Sequence, residues 1–228
     1  MREMKRLVIV GDSAFAEVAY EYFTYDSQYE VVAFAVEKAF LKKKSLFSIP
    51  VVAFEDLPIL YPSECNIIFV AIIYTQLNRL RTRLYKQLKN KGYRFASYIS
   101  PKAFIWNNCS IGEHCFIFEN NTIQPFVNIG NNVILWSGNH IGHHSIIGNN
   151  CFISSQVVIS GFCNIGDNCF LGVNSTIANN VVVGSDCFLG AGTLLSRNSK
   201  KFQVFKGDGS VASKINSLKF FKINDDLG

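Results

Sequence analysis

Charge is scarce in this chain: 17% of its 228 residues are Asp, Glu, Lys or Arg, where an average domain has about 25%. With 49% of residues hydrophobic, low charge does not mean disorder or low complexity; the length suffices for one large or two modest domains with a real core. The excess of +5 is small and spread out, and no Lys/Arg block is interleaved with aromatics, so a nucleic-acid binder is excluded as the reading. Long apolar runs are absent too. Stretches such as 66–73 have strand length, far short of a membrane span. The first residues carry no cleavable signal pattern, and a cytoplasmic location is expected. No Cys-x-x-Cys and no Cys/His metal spacing occurs among the seven cysteines, so no metal is expected.

The missing charge is concentrated in one place. Residues 99–196 hold only Lys102, Glu113, Glu119, Asp167 and Asp186, yet they hold all four histidines: His114, His140, His143 and His144. Such a stretch cannot present an ordinary monomer surface and must bury faces against partners. It also repeats. Every sixth residue from Ile99 to Leu195 is Ile, Leu or Val, 17 positions without an insertion. The residue four further on is small, β-branched or Asn, and glycine recurs just after the aliphatic one, as at Gly112, Gly130, Gly148 and Gly190. One large and one small inward position per six residues describes a short strand plus a turn. Three such units close a triangular coil, and stacked coils form parallel strands about 4.8 Å apart. Six of the seven cysteines fall on the small inward position and read as core filler.

Residues 1–98 read differently. A buried strand over 6–11, a helix from Ala14 to Phe23, strands at 29–37 and 66–73, and a basic amphipathic helix over 77–91 make a small parallel α/β unit. Ligands of such sheets sit at the C-terminal ends of the strands. Gly11 lacks the two further glycines of a dinucleotide fingerprint, which leaves a single nucleotide near Gly11, Asp12 and Ser13, or a unit that serves docking alone. Residues 197–228 form a basic, aromatic tail in which Lys206-Gly-Asp-Gly stands where the coils end.

The β-helix repeat over 99–196 resembles the hexapeptide-repeat left-handed β-helix; the handedness is implied by that resemblance. With its α/β unit, the chain resembles the bacterial nucleotide-sugar N-acetyltransferases of 4-amino-4,6-dideoxy sugars and the related sialic acid O-acetyltransferase-like family. The resemblance rests on Val8-Ile-Val-Gly-Asp-Ser13, Phe69-Val-Ala-Ile72, Ile99-Ser-Pro101 and above all Ile141-Gly-His-His-Ser-Ile-Ile-Gly148. It implies three regions: a nucleotide-binding domain (1–98), an acyltransferase domain (99–196) and a tail (197–228). It further implies a homotrimer that binds acetyl-CoA between neighbouring β-helices and works in surface polysaccharide or glycan synthesis. The implied reaction is acetylation of the 4-amino group of a nucleotide-linked 4-amino-4,6-dideoxyhexose, dTDP- or UDP-linked, with guanosine also open.

By position the family's general base is His143. A neutral imidazole accepts the proton that an attacking amine must lose. Where relatives often place a carboxylate this chain has His144, and beside a second imidazole His143 is expected to be a weaker base than usual. Gly161 lies 18 residues on, a vertical neighbour whose N–H is expected to bind the oxyanion, or which only permits a tight turn. Glu37, with Arg79 or Arg81, is expected at the nucleotide. Trp136, Asn139 and His140 are expected at the acceptor, although Asn139 also reads as a buried ladder amide. Asn174, Gly190 and Lys206 are expected at the cofactor, and His114 as structural. Two alternatives stand beside this: O-acetylation of a sugar hydroxyl at the same site, and a trimeric scaffold without activity.

Overall fold

The computed structural model describes residues 4–207, 209, 212, 214, 215 and 217–222. Residues 5–95 form the α/β unit: β1 (Lys5–Val10), α1 (Ala14–Tyr25), β2 (Tyr29–Val36), β3 (Ser45–Leu46), β4 (Ile49–Ala53), α2 (Leu57–Leu60), β5 (Ile67–Val70), α3 (Arg79–Asn90) and β6 (Arg94–Phe95). The sheet order is β3-β4-β2-β1-β5-β6, all parallel except the β3–β4 hairpin. Its central strands are apolar on both faces, with Leu7, Val8 and Ile9 wholly buried, because α1 covers one side and α3 the other.

From Tyr98 the chain winds in coils of 18 residues, so that Phe116 pairs Ile134 and Ile134 pairs Phe152. The coils build three parallel sheets of seven, six and five strands, which we call the first, second and third faces. The inward aliphatic and small residues form one continuous core, from Cys115 and Ile117 to Leu195. Its lower end is open: Ile99 is 42% exposed, because no coil lies beneath it.

The turns correct one detail of the expected pattern. From Ile111 to Leu189 the residue three after each inward aliphatic has a left-handed backbone, and at six of these turns it is asparagine: Asn120, Asn132, Asn150, Asn168, Asn174 and Asn180. Asparagine tolerates that conformation better than other non-glycine residues. The recurring glycines serve close approach instead. A Cβ on Gly142 would lie 2.5 Å from the carbonyl carbon of Ser160 on the next coil.

The α/β unit docks on the first face. There the outward residues Tyr98, Phe116, Ile134, Phe152 and Phe170 are buried against Phe15, Phe23 and Phe69. Helix α3 lies along the corner between the third and first faces. Arg79 pairs with Asp186, Lys89 with Glu113, and Asn78 Nδ2 donates to the carbonyl of Cys169 at 3.3 Å.

Candidate functional site

Two groups of polar residues stand apart on the molecule. The first lies where β1, β2 and β5 end. Gly11, Asp12, Ser13, Glu37, Phe40, Gln76 and Arg83 line a cavity of about 660 Å³. Gly11 has φ +128, and a Cβ on it would come within 2.8 Å of the Ala71 carbonyl oxygen, so only glycine closes this strand end. Arg83 donates from both terminal nitrogens to the Glu37 carboxylate at 2.9 and 2.8 Å, and its guanidinium holds that carboxyl below the usual range. Lys43 Nζ donates to the Asp12 carbonyl at 2.9 Å and lies 4.0 Å from the Asp12 carboxylate, so a cation stands at the mouth.

The arginines expected here are elsewhere. Arg79 is drawn to Asp186, while Arg81 is fully buried and donates to the carbonyls of Asn132 at 2.9 Å and His114 at 3.2 Å. Burial pulls the Arg81 pKa down to about 9, so it stays charged at neutral pH. Helical phase explains the exchange: α3 turns Arg81 onto the β-helix and Arg83, two residues on, toward the strand ends. His114, also buried, accepts from the Val70 N–H at 2.8 Å, and burial drives its pKa well down, leaving a neutral ring between the α/β unit and the coils.

The second group occupies the corner between the second and third faces. His143 is exposed in the single chain; its backbone N–H donates to Gln124 Oε1 at 3.0 Å. Its Nδ1 lies 3.1 Å from Nδ1 of His144. Gly161 lies against the His143 ring, and a Cβ there would fall 2.9 Å from Cε1 and 3.0 Å from Nε2. The Gly161 N–H, expected at the oxyanion, has a partner in the single chain. It donates to Asn179 Oδ1 at 2.9 Å, the same ladder bond that Asn131 and Asn149 make with their neighbours in other coils. The lack of a side chain at Gly161 leaves room for the imidazole.

Other expected residues are dispersed. Asn139 is 1% exposed, with Nδ2 donating to the Trp136 carbonyl and Oδ1 accepting from the Val157 N–H at 2.8 Å. Both ends of its amide are used, so it is a core residue that touches no acceptor. Trp136 stacks on Phe118 at 4.5 Å beneath α1, at the corner between the first and second faces. His140 is half-buried on the second face, paired with Thr122 and Val158. Asn174 and Gly190 share the Trp136 corner, not that of His143. Gly190 is buried, and its N–H donates to the Phe205 carbonyl at 2.6 Å as the chain after Val204–Phe205 passes over it. Lys206 is exposed beside it, while Asp208 of the same run lies outside the described residues. Among the described residues no group of three His, Cys, Asp or Glu is placed to hold a metal ion, and no helix is long and apolar enough to cross a membrane.

Comparison with known proteins agrees with this architecture. Residues 126–161 and 162–197 match the family model for the bacterial transferase hexapeptide (six repeats). No curated protein matches the chain in sequence. Among solved structures, PerB from Caulobacter crescentus, in complex with CoA and GDP-perosamine, is 24% identical with a TM-score of 0.79, over 89% of this chain and 94% of that one. The acetyltransferase domain of PglB from Neisseria gonorrhoeae is 19% identical with a TM-score of 0.78, over 88% and 95%. WeeI from Acinetobacter baumannii is 20% identical with a TM-score of 0.57, over 89% and 96%. The chain thus carries bacterial transferase hexapeptide repeats, wound as a left-handed parallel β-helix behind a small parallel α/β unit.

Proposed function

We propose that the protein transfers acetyl from acetyl-CoA to the amino group of a nucleotide-linked 4-amino-4,6-dideoxyhexose. The observation that carries this is the His143 corner: an exposed imidazole with a glycine against its ring and a second imidazole on its Nδ1, on the fold of a protein solved with CoA and GDP-perosamine. The α/β cavity, with Gly11, Asp12, Ser13, Glu37 and Arg83, is the site proposed for the nucleotide, and Lys43 the cation facing its phosphates.

In the reaction, the amine nitrogen attacks the thioester carbonyl while His143 Nε2 takes the proton the amine sheds. The tetrahedral intermediate then collapses, the C–S bond breaks, and the imidazolium returns the proton to the leaving thiolate. Acetyl-CoA is a cosubstrate, and the chemistry calls for no metal.

The positions of the two groups support an oligomeric site. The α/β unit covers the first face, whereas His143 stands at the corner opposite that face. A nucleotide sugar held in the cavity of one chain is therefore acetylated at the His143 corner of a neighbouring copy, in a homotrimer. Lys206, at another corner, then reaches cofactor phosphates only across such an interface. The test is a pair of calorimetric titrations with acetyl-CoA and with GDP, UDP and dTDP. The proposal expects acetyl-CoA and one diphosphate to bind independently. A protein that binds neither is the scaffold of the alternative reading.

A further inference from the structure

His144 has an unusual setting. Its position in the turn is left-handed, φ 57, a place that six other turns fill with asparagine. The residues one coil below and above, Phe126 and Phe162, share that backbone with φ 65 and 59. Bulky side chains in this conformation are costly and cluster at functional sites. Here all three rings form one stack: Phe126 to His144 is 4.5 Å at 28°, and His144 to Phe162 is 4.7 Å at 18°. Phe162 also meets the His143 ring edge-on, at 5.0 Å and 89°. Among the described residues no carboxylate hydrogen-bonds either imidazole; the rings' hydrogen-bond partners are each other.

We propose that His144 is the positioning residue of the base, a neutral imidazole clamped between Phe126 and Phe162 whose Nδ1 accepts the Nδ1–H of His143. This rests on the proposed role of His143 and deepens it. For His143 to take a proton at Nε2, its own proton must sit on Nδ1, and that N–H needs an acceptor. The lone pair 3.1 Å away supplies one, and the proton of His144 then sits on its Nε2. The aromatic stack fixes the plane of the accepting ring, and Gly161 leaves the space into which the donating ring is turned. When His143 becomes cationic, the bond persists with a charged donor, and the Phe162 ring lies beside the charge.

The test uses the full-length protein and two substitutions, each alone and combined with His143→Ala. His144→Phe keeps the stack and deletes the acceptor; Phe126 and Phe162 show that phenylalanine fits this turn. His144→Asn restores an acceptor oxygen on a side chain the left-handed turns already favour. Transfer from acetyl-CoA to the nucleotide-linked amino sugar should fall by about 10–100-fold in kcat for His144→Phe, with both KM values held, and recover most of that in His144→Asn. In the His143→Ala background neither change should matter further. A His144→Phe protein as fast as wild type, or an equal added loss in the His143→Ala background, overturns the proposal. If His143→Ala alone is fully active, the reading of His143 as base fails first. Nitrogen-15 NMR of histidine-labelled wild-type protein gives a check that needs no turnover: His143 should carry its proton on Nδ1, and a proton on Nε2 alone overturns the assignment.

Discussion

If His143 takes the amine proton as proposed, His143→Ala should lower kcat by about two to four orders of magnitude while the fold persists. A loss under threefold in steady-state kinetics contradicts its role. Gly161→Ala separates the two readings of that glycine. Alanine keeps the N–H, which Asn179 already occupies, but its methyl meets the His143 ring at 2.9–3.0 Å. Displacing a base by about 1 Å is enough for kcat to drop by about 100-fold. Wild-type activity in Gly161→Ala contradicts the steric account. The repeat put His143 and Gly161 on adjoining coils from spacing alone. It said nothing of where the Gly161 N–H points, because that depends on the side chain of Asn179, another coil away. Arg83 was hidden likewise: three arginines in a five-residue run look equivalent until the helix docks.

At the scale of elements, the joint between the α/β unit and the first face is aromatic. Phe116 is fully buried among Phe15, Phe23 and Phe69. Phe116→Ala should therefore cost about 3–5 kcal/mol in denaturant unfolding. A cost below 1 kcal/mol contradicts the docking described. A polar tie crosses the same joint, where Tyr22 Oη donates to Glu119 at 2.9 Å. Burial first, and this bond second, push the Tyr22 pKa up to about 12. The sign follows from linkage: unfolding returns the phenol to about 10, so its contribution is intact below that pH and is lost between about 10 and 12. Tyr22→Phe should flatten that part of the stability curve, read as unfolding midpoints in an alkaline series. The elements themselves were legible to unequal degrees. A six-residue repeat announces a β-helix because each strand sees the same neighbours. The left-handed asparagines were passed over because glycine, the commoner sign of such a turn, served here for contact between coils.

At the scale of the whole molecule, the shortage of charge over residues 99–196 has a partial explanation within one chain. The first face is spent on the α/β unit, and Glu113, Glu119 and Asp186 are engaged by Lys89, Tyr22 and Arg79. The corner that carries His143 keeps Phe126 and Phe162 more than half exposed, at 53% each, which fits a surface completed by another copy. In the proposed homotrimer each chain offers the nucleotide on one side and the base on the other. Mixing His143→Ala chains with chains altered at the nucleotide cavity, such as Gly11→Val, should then restore activity in hybrid trimers, whereas either variant alone stays inactive.

Acetyl transfer is read directly as release of free CoA thiol from acetyl-CoA with matched pairs of nucleotide-linked sugars, one bearing a 4-amino group and the other a 4-hydroxyl, in the UDP, dTDP and GDP series. Turnover is expected on the amino member of one pair, with an N-acetylated product, and none on its hydroxyl partner. Turnover confined to a hydroxyl sugar, or acetyl-CoA left intact with every amino sugar, contradicts the proposed N-acetylation.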